Sequence, residues 1–314
     1  MRSMWFEPLG RRLSRLALGT LWFTPDRQSD VSKLLDAWVE LGGDTIDTAH
    51  VYGKGDAERA LGQWLRARPD LRERLVIVSK GAHPDGDRVR VTPGDINSDL
   101  RDTIERLGGP VDVYLLHRDD PSKPVGPLVE VLDEHRRAGH IRAYGASNWT
   151  PERIDEANAY AAAHGLAPFC LSSTQLSLAT QNAEQWPGAL SATDPATRRW
   201  HERTQMPLLA WSAQASGFFT GRYAPDRDAD PAIAAVYFSD DNWERLDRAR
   251  MLAERLKSTA NEVALAWLLA QRFPVQALIG PRSVQELRGS VGATELELSD
   301  EDVAWLDLEE PGRR

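Results

Sequence analysis

Three side chains of different acid–base character each stand where a short, largely apolar run of residues ends. They are the carboxylate of Asp47, the amine of Lys80 and the imidazole of His117. Apolar runs of this length predict buried strands. If the strands are parallel neighbours, the three groups emerge on one rim of the sheet, and the phenol of Tyr52 follows five residues after Asp47. The pattern predicts a proton-transfer site.

A phenol beside an ammonium group and an imidazole suits one kind of reaction. A free phenol has a pKa of about 10 and is a weak acid at neutral pH. We expect Lys80 to stabilise the phenolate and lower the pKa of Tyr52, and Asp47 to keep that lysine charged at an apolar rim. His117 can donate to the same substrate oxygen and share its developing charge. The set suits protonation of an oxygen whose carbon receives a hydride.

Each of these residues also has a more ordinary interpretation. Asp47 before Thr-Ala suits a turn or a helix cap, and Tyr52 beside a glycine suits packing in a loop. A single Lys80 or His117 at a strand end is usually solvated or bonded locally. Only the combination of the four favours catalysis.

The composition is that of an ordinary globular protein. Of its 314 residues, 41% are hydrophobic and 27% are charged, which suits one large domain spanning residues 1–314. The formal net charge of -9 argues against a general nucleic-acid binder. With a single cysteine, Cys170, and no His-x-x-x-His pattern, the chain has no internal disulfide and no predicted metal site.

Signals for secretion or membrane insertion are also missing from the sequence. Charged residues, Pro8 and Gly10 interrupt residues 1–15 before an apolar run could form, so we expect no signal peptide. No stretch approaches the roughly 18 to 20 apolar residues of a membrane span. We therefore expect a cytoplasmic protein without membrane contact, and the sequence leaves its oligomeric state open.

Strand and helix patterns alternate along the chain. Eight runs predict strands at 16–20, at the run ending at 47, and at 75–80, 111–117, 141–146, 169–174, 207–211 and 275–279. Repeated βα units predict an α/β protein with a parallel sheet, and eight of them close most naturally into a (β/α)8 TIM barrel. An open doubly wound sheet is the alternative, but no Gly-x-Gly-x-x-Gly turn follows the first strand.

Several helices carry clear start signals. Thr92 and Thr150, each followed by proline, are predicted N-caps. The helical stretch 242–272 is predicted to break at a capping box that begins at Thr259, and a similar box begins at Ser299. In the resulting barrel, the three strand-end groups would lie at the carboxyl ends of consecutive strands, where barrel enzymes place catalytic groups.

The first part of this constellation resembles the signature of the aldo-keto reductases. Residues 47–53 match the family pattern Asp-Thr-Ala-x-x-Tyr-Gly, and the Glu and Leu-Gly that follow it are present at Glu58 and 61–62. Lys80 and His117 fall where the family has its lysine and histidine, and the resemblance covers nearly the whole chain. It implies a (β/α)8 barrel that binds a nicotinamide cofactor across its rim, without a Rossmann domain.

The same resemblance implies a role for each site residue. Tyr52 is the general acid, Lys80 and Asp47 tune it, and His117 orients the carbonyl group. The implied cofactor contacts are Ser147, Asn148 and Gln175 with the carboxamide, Trp211 stacked on the nicotinamide, Ser212, Gln214 and Gly217 in the loop along the pyrophosphate, and Gly280, Arg282 and Ser283 at the 2′-phosphate. Taken alone, residues 147–148 suit a helix-start turn and Trp211 a core aromatic.

Two departures from the family pattern concern the choice of cofactor. The family commonly has Gln where this chain has Glu286, and Glu-Asn where it has residues 289–290. Arg282 and Ser283 can bind a 2′-phosphate, whereas Glu286 can repel it or accept from a ribose or adenine group. We therefore expect NADP to be preferred by a narrow margin, with NAD as the alternative.

The sequence says less about the substrate. Trp22 and Arg118, just past the first and fourth strands, are expected to face the pocket. Loops on a barrel rim usually choose the substrate, and the predicted loops 176–192 and 218–241 are long. Their aromatic residues could stack on a sugar or an aromatic ring, namely Trp186, Phe218, Phe219 and Tyr223.

Three functions remain open at this point. The leading hypothesis is an NAD(P)-dependent oxidoreductase that reduces an aldehyde or ketone, with a small-molecule carbonyl or alcohol as its partner. A regulatory or partner-binding subunit on the same fold, with little turnover, is the runner-up. A Schiff-base aldolase using Lys80 is the third, but it leaves Tyr52 and the cofactor-like segments without a role.

Overall fold

A short hairpin and eight further strands make up the sheets of the described part of this protein. The computed structural model describes residues 1–226 and 229–309. The hairpin consists of β1 (Ser3–Phe6) and β2 (Arg11–Ser14), and the other strands are β3 (Leu16–Gly19), β4 (Thr45–Asp47), β5 (Val76–Gly81), β6 (Val111–Leu116), β7 (Ile141–Ser147), β8 (Ser172–Ser173), β9 (Leu208–Ala210) and β10 (Val275–Ile279). Residues 227–228 of the predicted loop 218–241, and residues 310–314 of the predicted domain, lie outside the described residues.

Strands β3 to β10 close into a parallel barrel in which β10 pairs with β3. Strands that follow one another in sequence are neighbours all round the barrel. The predicted (β/α)8 barrel is therefore confirmed, and the open doubly wound sheet is wrong. Asp47 pairs in register with Gly19 and Val78, and Lys80 pairs with Leu115, so the ends of β4, β5 and β6 lie at one level of the rim.

Side chains along each strand alternate between the barrel interior and the helix layer. In β5, Val76 and Val78 belong to the interior cluster, and Ile77 between them packs in the outer core. In β6, Val113 and Leu115 lie in the interior. Continuing the same period of two, the next inward positions are the lysine and the histidine of the predicted site, which reach the mouth of the barrel.

Helices cover the outside of the barrel. They are α1 (Gln28–Glu40), α2 (Asp56–Arg66), α3 (Pro93–Leu107), α4 (Gly126–Arg137), α5 (Pro151–His164), α6 (Pro195–Thr204), α7 (Pro231–Tyr237), α8 (Asp240–Leu256), α9 (Ala260–Leu269), α10 (Val284–Val291) and α11 (Asp300–Leu306). The predicted caps are confirmed, because Thr92 and Thr150 accept backbone N–H groups and Thr259 and Ser299 form capping boxes. None of the helices in the described ranges is long and apolar enough to cross a membrane.

The sequence patterns do not predict two of these elements. Phe6 and Leu13 of the hairpin are buried against the interior cluster near the start of β5, so the hairpin closes the amino end of the barrel. Helix α7 lies within residues 218–241, and the prediction of a loop is wrong there. Asp230 caps this helix directly before a first-turn proline, which is the local signal that could have found it.

Candidate active site

The ends of β4, β5 and β6 bring the four predicted proton-transfer groups together. The Nζ atom of Lys80 lies 2.6 Å from both carboxylate oxygens of Asp47. The same atom lies 3.4 Å from the hydroxyl oxygen of Tyr52. The rings of Tyr52 and His117 meet edge to face, with 5.8 Å between their centroids. The ammonium group thus stands between a carboxylate and a phenol, and the imidazole stands beside that phenol.

The chain after β4 runs alongside β5 and then folds back over it. The N–H of Thr48 donates to the Val78 carbonyl oxygen at 2.8 Å, and the N–H of His50 donates to the Lys80 carbonyl oxygen at 2.8 Å. These two bonds continue the parallel pairing beyond the end of the strand. They place Tyr52 within reach of the lysine on the neighbouring strand.

A tight turn at Tyr52–Gly55 then directs the chain into α2. Gly53 and Gly55 have φ angles of 55° and 92°, which glycine adopts at little cost. A Cβ atom at Gly55 would lie 2.5 Å from the Arg106 guanidinium, so a larger residue there would displace that side chain. The turn after Tyr52 therefore requires glycine, both for its positive φ angles and because the Arg106 side chain leaves no room for a Cβ at Gly55.

The charges of Asp47 and Lys80 depend on each other. Their side chains are only 1% and 2% exposed and form a buried ion pair. Burial lowers the pKa of Lys80, but Asp47 and Tyr52 together more than reverse this, so the pKa of Lys80 lies above its ordinary value. Burial raises the pKa of Asp47, and the ammonium opposes that rise. The lysine at this rim is therefore cationic, as predicted.

The phenol of Tyr52 is a weaker acid than the sequence predicts. Burial raises the pKa of Tyr52 above its ordinary value, and Lys80 opposes the rise without reversing it. The predicted lowering is therefore wrong. The ammonium is already paired with Asp47, whose own charge raises the pKa of Tyr52 further. The hydroxyl group is consequently protonated at neutral pH.

A second imidazole, which the sequence patterns do not single out, stands next to His117. The ring of His83 meets that of His117 edge to face at 4.8 Å. Burial lowers the pKa of His117 well below its ordinary range, and Lys80 lowers it further. Burial also lowers the pKa of His83. Both rings are therefore neutral at neutral pH, and the only sequence signal for His83 is its position just beyond β5.

A cavity of about 1560 Å³ opens above these groups. Every predicted cofactor and substrate residue lines it, with the exception of Gln175, Ser283 and Phe218. Sites for drug-sized ligands usually measure about 300 to 1,000 Å³. The larger cavity here fits an extended dinucleotide together with a small substrate.

Two predicted cofactor residues point elsewhere. The side chain of Gln175 is fully buried; its amide nitrogen donates to the Ser177 hydroxyl at 2.8 Å, and its carbonyl oxygen accepts from the Ser191 hydroxyl at 2.6 Å. It therefore holds the loop after β8 in place, and its contact with the cofactor stays a prediction. The hydroxyl of Ser283 is the N-cap of α10 and accepts the Glu286 N–H at 3.2 Å.

The loop after β9 turns sharply along one wall of the cavity. Positive φ angles of 51°, 46°, 55° and 84° occur at Ser212, Ala215, Ser216 and Gly217. Such angles are uncommon for residues other than glycine, and strained backbone of this kind concentrates at ligand sites. The side-chain amide of Gln214 fixes the loop by donating to Asn261 and Ser290, each at 3.1 Å. Consecutive turns present backbone N–H groups in a way that suits a pyrophosphate.

Comparison with known proteins agrees with this geometry. The sequence profile described as "Aldo/keto reductase family" matches residues 15–308. The chain belongs to the aldo/keto reductase family. Aldo-keto reductase str7 of Strobilurus tenacellus is 27% identical over 96% of this chain and 89% of its own length. A putative voltage-gated potassium channel subunit beta of Schizosaccharomyces pombe is 27% identical over 92% of this chain and 88% of its own length.

A solved structure shows the same architecture. The thermostable aldo-keto reductase Tm1743, crystallised with the inhibitor epalrestat, superposes with a TM-score of 0.78. It is 25% identical in sequence, and the match covers 98% of this chain and 99% of that one. The family and the barrel fold that the sequence resemblance implies are both confirmed.

This aldo-keto reductase departs from the family pattern at α10. The Glu286 carboxylate accepts the backbone N–H of Arg282 at 2.8 Å, so it folds back over the start of the helix. The negative charge therefore lies beside the predicted phosphate site. At Gly289, a Cβ would meet nothing within 4 Å among the described residues other than its chain neighbours and the backbone of its own helix, so the wall is open at this position.

Aromatic side chains form another wall of the cavity in this aldo-keto reductase. The ring of Trp186 lies 5.3 Å from that of Trp211, and 43% of Trp186 is exposed. Phe219 and Tyr223 also line the cavity. Phe218 is fully buried and packs against other aromatic residues of the core, so the prediction that it stacks on a substrate is wrong.

Proposed function

We propose that this protein reduces small aldehydes or ketones to alcohols, with NADPH preferred to NADH and Tyr52 as the general acid. The observation that carries the proposal is the position of the Lys80 Nζ, in contact with both the Asp47 carboxylate and the Tyr52 hydroxyl. His117 completes the group beside a cavity large enough for a dinucleotide and a small substrate. The same residues serve the reverse reaction, the oxidation of an alcohol.

Tyr52 supplies the proton of the reduction. Its raised pKa keeps the hydroxyl protonated at neutral pH. When bound, a reduced nicotinamide supplies the hydride that the carbonyl carbon accepts. The carbonyl oxygen takes the Tyr52 proton, and Lys80, at 3.4 Å, stabilises the phenolate that remains.

His117 positions the carbonyl oxygen. Burial and the nearby Lys80 charge keep its imidazole neutral, since both lower the pKa of His117. A neutral imidazole carries one N–H donor and one acceptor nitrogen. It can therefore donate to the carbonyl oxygen without competing with Tyr52 as the proton donor.

The preference for NADPH rests on Arg282. Its exposed guanidinium lines the cavity at the start of α10, where a helix N-terminus already favours an anion. The carboxylate of Glu286 lies over the same turn and repels a 2′-phosphate. The two opposed charges support a preference for NADPH over NADH that is smaller than it would be with glutamine in place of Glu286.

A regulatory subunit with little turnover is the second candidate. It is favoured by the similarity to the putative potassium channel subunit beta of S. pombe. The ion-paired lysine in contact with the phenol favours catalysis instead, because binding alone does not require that arrangement. Turnover of a carbonyl compound separates the two.

The test begins with equilibrium binding. Titration with NADPH and NADH, followed by quenching of tryptophan fluorescence, reports on the cavity because Trp186 and Trp211 line it. A panel of aldehydes and ketones is then assayed with the better cofactor. Saturable oxidation of NADPH is the expected result. Cofactor binding with no turnover of any carbonyl compound would favour the regulatory subunit, and no cofactor binding would refute both.

A further inference from the structure

Arg118 places a positive charge at the cavity that no carboxylate of the described chain neutralises. Its Nη1 donates to the carbonyl oxygen of His117 at 2.9 Å, which holds the side chain at the rim directly after β6. The nearest acidic residue in sequence is Asp119, and its carboxylate accepts a hydrogen bond from the Arg153 guanidinium at 2.9 Å. The guanidinium therefore lies along the cavity wall with most of its five N–H donors uncommitted.

The acidic groups that line the cavity are all engaged elsewhere. Three carboxylates occur among its described lining residues. Asp47 is paired with Lys80, Asp230 caps α7, and Glu286 accepts the Arg282 N–H. The charge of Arg118 is thus left for a ligand.

This charge lies close to the reacting groups. Burial and then Lys80 are the main causes that lower the pKa of His117, and Arg118 adds to them. Burial raises the pKa of Tyr52, while Arg118, like Lys80, opposes that rise. An anion bound by Arg118 would therefore sit within a small-molecule length of the proton donor.

The residues around Arg118 suit a ligand with a flat or short apolar part. At Gly188, a Cβ would lie 3.8 Å from the Cδ of Arg118, so the arginine stem packs against the loop that carries Trp186. Trp186 offers an aromatic face to the same cavity, tilted toward Trp211. The guanidinium, the phenol of Tyr52 and this aromatic face all line the same cavity.

We propose that the carbonyl substrate of this protein carries a carboxylate, which Arg118 binds while Tyr52 protonates the carbonyl oxygen. This assignment of an oxo acid or aldehyde acid rests on the proposed reductase function. The carbonyl carbon gains a hydride from the reduced cofactor, its oxygen gains the Tyr52 proton, and the carboxylate is unchanged. A substrate held by its carboxylate at Arg118 and by its carbonyl oxygen at Tyr52 presents the carbonyl group in a single orientation.

The test compares an acid with its neutral ester. The substrates are 4-formylbenzoate and methyl 4-formylbenzoate, which differ in charge and share the aldehyde and the ring. We expect kcat/KM to favour the acid by about 10- to 100-fold, the range for a charge-assisted pair. In Arg118→Met this preference should disappear, mainly through a higher KM for the acid. Arg118→Lys should keep part of it, because lysine retains the charge and loses the bidentate geometry.

A matched control removes the same charge from the surface. Arg101 is exposed on α3 and does not line the cavity, so Arg101→Met tests the general effect of losing one cation. The acid preference should survive in this variant. Equal kcat/KM for acid and ester in the wild type would overturn the proposal.

Another outcome would give Arg118 a different role. If Arg118→Met lowered kcat equally for both substrates and moved the pH profile, Arg118 would act on the Tyr52 phenol, and the carboxylate proposal would be wrong. Calorimetric binding of both compounds to cofactor-loaded Tyr52→Phe protein separates recognition from turnover. If the acid binds in an Arg118-dependent way but the wild type turns over neither compound, the anion site stands and the reductase function is refuted. If the acid and the ester bind with equal affinity, the anion site is refuted.

Discussion

Replacing Lys80 with methionine tests how far the ammonium stabilises the Tyr52 phenolate. At an effective dielectric constant of about 20, unit charges 3.4 Å apart attract by about 5 kcal/mol. The Asp47 carboxylate repels the phenolate and so opposes this attraction. Since the Lys80 Nζ lies 2.6 Å from the Asp47 oxygen and 3.4 Å from the Tyr52 hydroxyl oxygen, those two oxygens are at most about 6 Å apart. The repulsion is therefore at least about 3 kcal/mol on the same scale. The net stabilisation is at most about 2 kcal/mol.

This bound sets the expected kinetics. Lys80→Met combined with Asp47→Asn removes both charges and should lower kcat for reduction by up to about 30-fold, whereas Lys80→Met alone keeps the opposing carboxylate and should lower kcat further. It should also move the alkaline limb of the kcat/KM profile upward. Reduction requires the protonated phenol, and the pKa of Tyr52 rises further once the opposing charge of Lys80 is gone. In the direction of alcohol oxidation, which requires the phenolate, the acidic limb should move upward instead.

The assay is the initial rate of NADPH oxidation across a pH series. The single variant leaves Asp47 buried without a partner, which commonly costs about 3 to 5 kcal/mol of stability. The double variant Lys80→Met, Asp47→Asn removes that carboxylate and serves as the control for folding. An unchanged pH profile in the folded double variant would show that the lysine charge does not act on Tyr52, and a loss of kcat far beyond 30-fold in that same variant would show that Lys80 does more than stabilise charge.

Three further predictions follow from the same site. Tyr52→Phe should lower kcat for carbonyl reduction by about 10²- to 10⁴-fold while cofactor affinity changes little, and a variant with near wild-type kcat would remove Tyr52 as the proton donor. Glu286→Gln should tighten NADPH binding by about fivefold and leave NADH nearly unchanged, because glutamine keeps an acceptor for the Arg282 N–H and removes the charge; dissociation constants of both cofactors measure this. The pKa of His117 lies below its ordinary value in the folded protein, so the unfolded chain binds a proton there below about pH 6.5 and the folded protein does not. The His117 contribution to the free energy of unfolding should therefore fall as pH drops below that value, and urea titrations should show a weaker dependence over this range in His117→Gln than in the wild type.

Local and periodic signals in the sequence were sufficient for the barrel, although not for the β1–β2 hairpin or α7. Strand side chains repeat every two residues, so Val76 and Val78 on the inward face imply an inward Lys80. Helix caps depend on contacts only three residues apart, and those at Thr92 and Thr259 are present as predicted. The signature around Tyr52 identified the family. The roles of the site residues and the extent of a single domain over 1–314 stay predictions.

Contacts between residues far apart in the sequence determine the properties that local and periodic signals do not predict. Burial raises the pKa of Tyr52, a half-buried residue at the cavity, and the spacing of residues in the sequence does not predict that burial. The side chain of Gln175 is fully buried, and serines of its own loop bind both ends of its amide. The carboxylate of Asp119, beside Arg118 in sequence, is bound by Arg153 of α5, so it does not pair with Arg118. Sequence periodicity assigns each residue a face, whereas charge and hydrogen-bond partners depend on which other residues meet there.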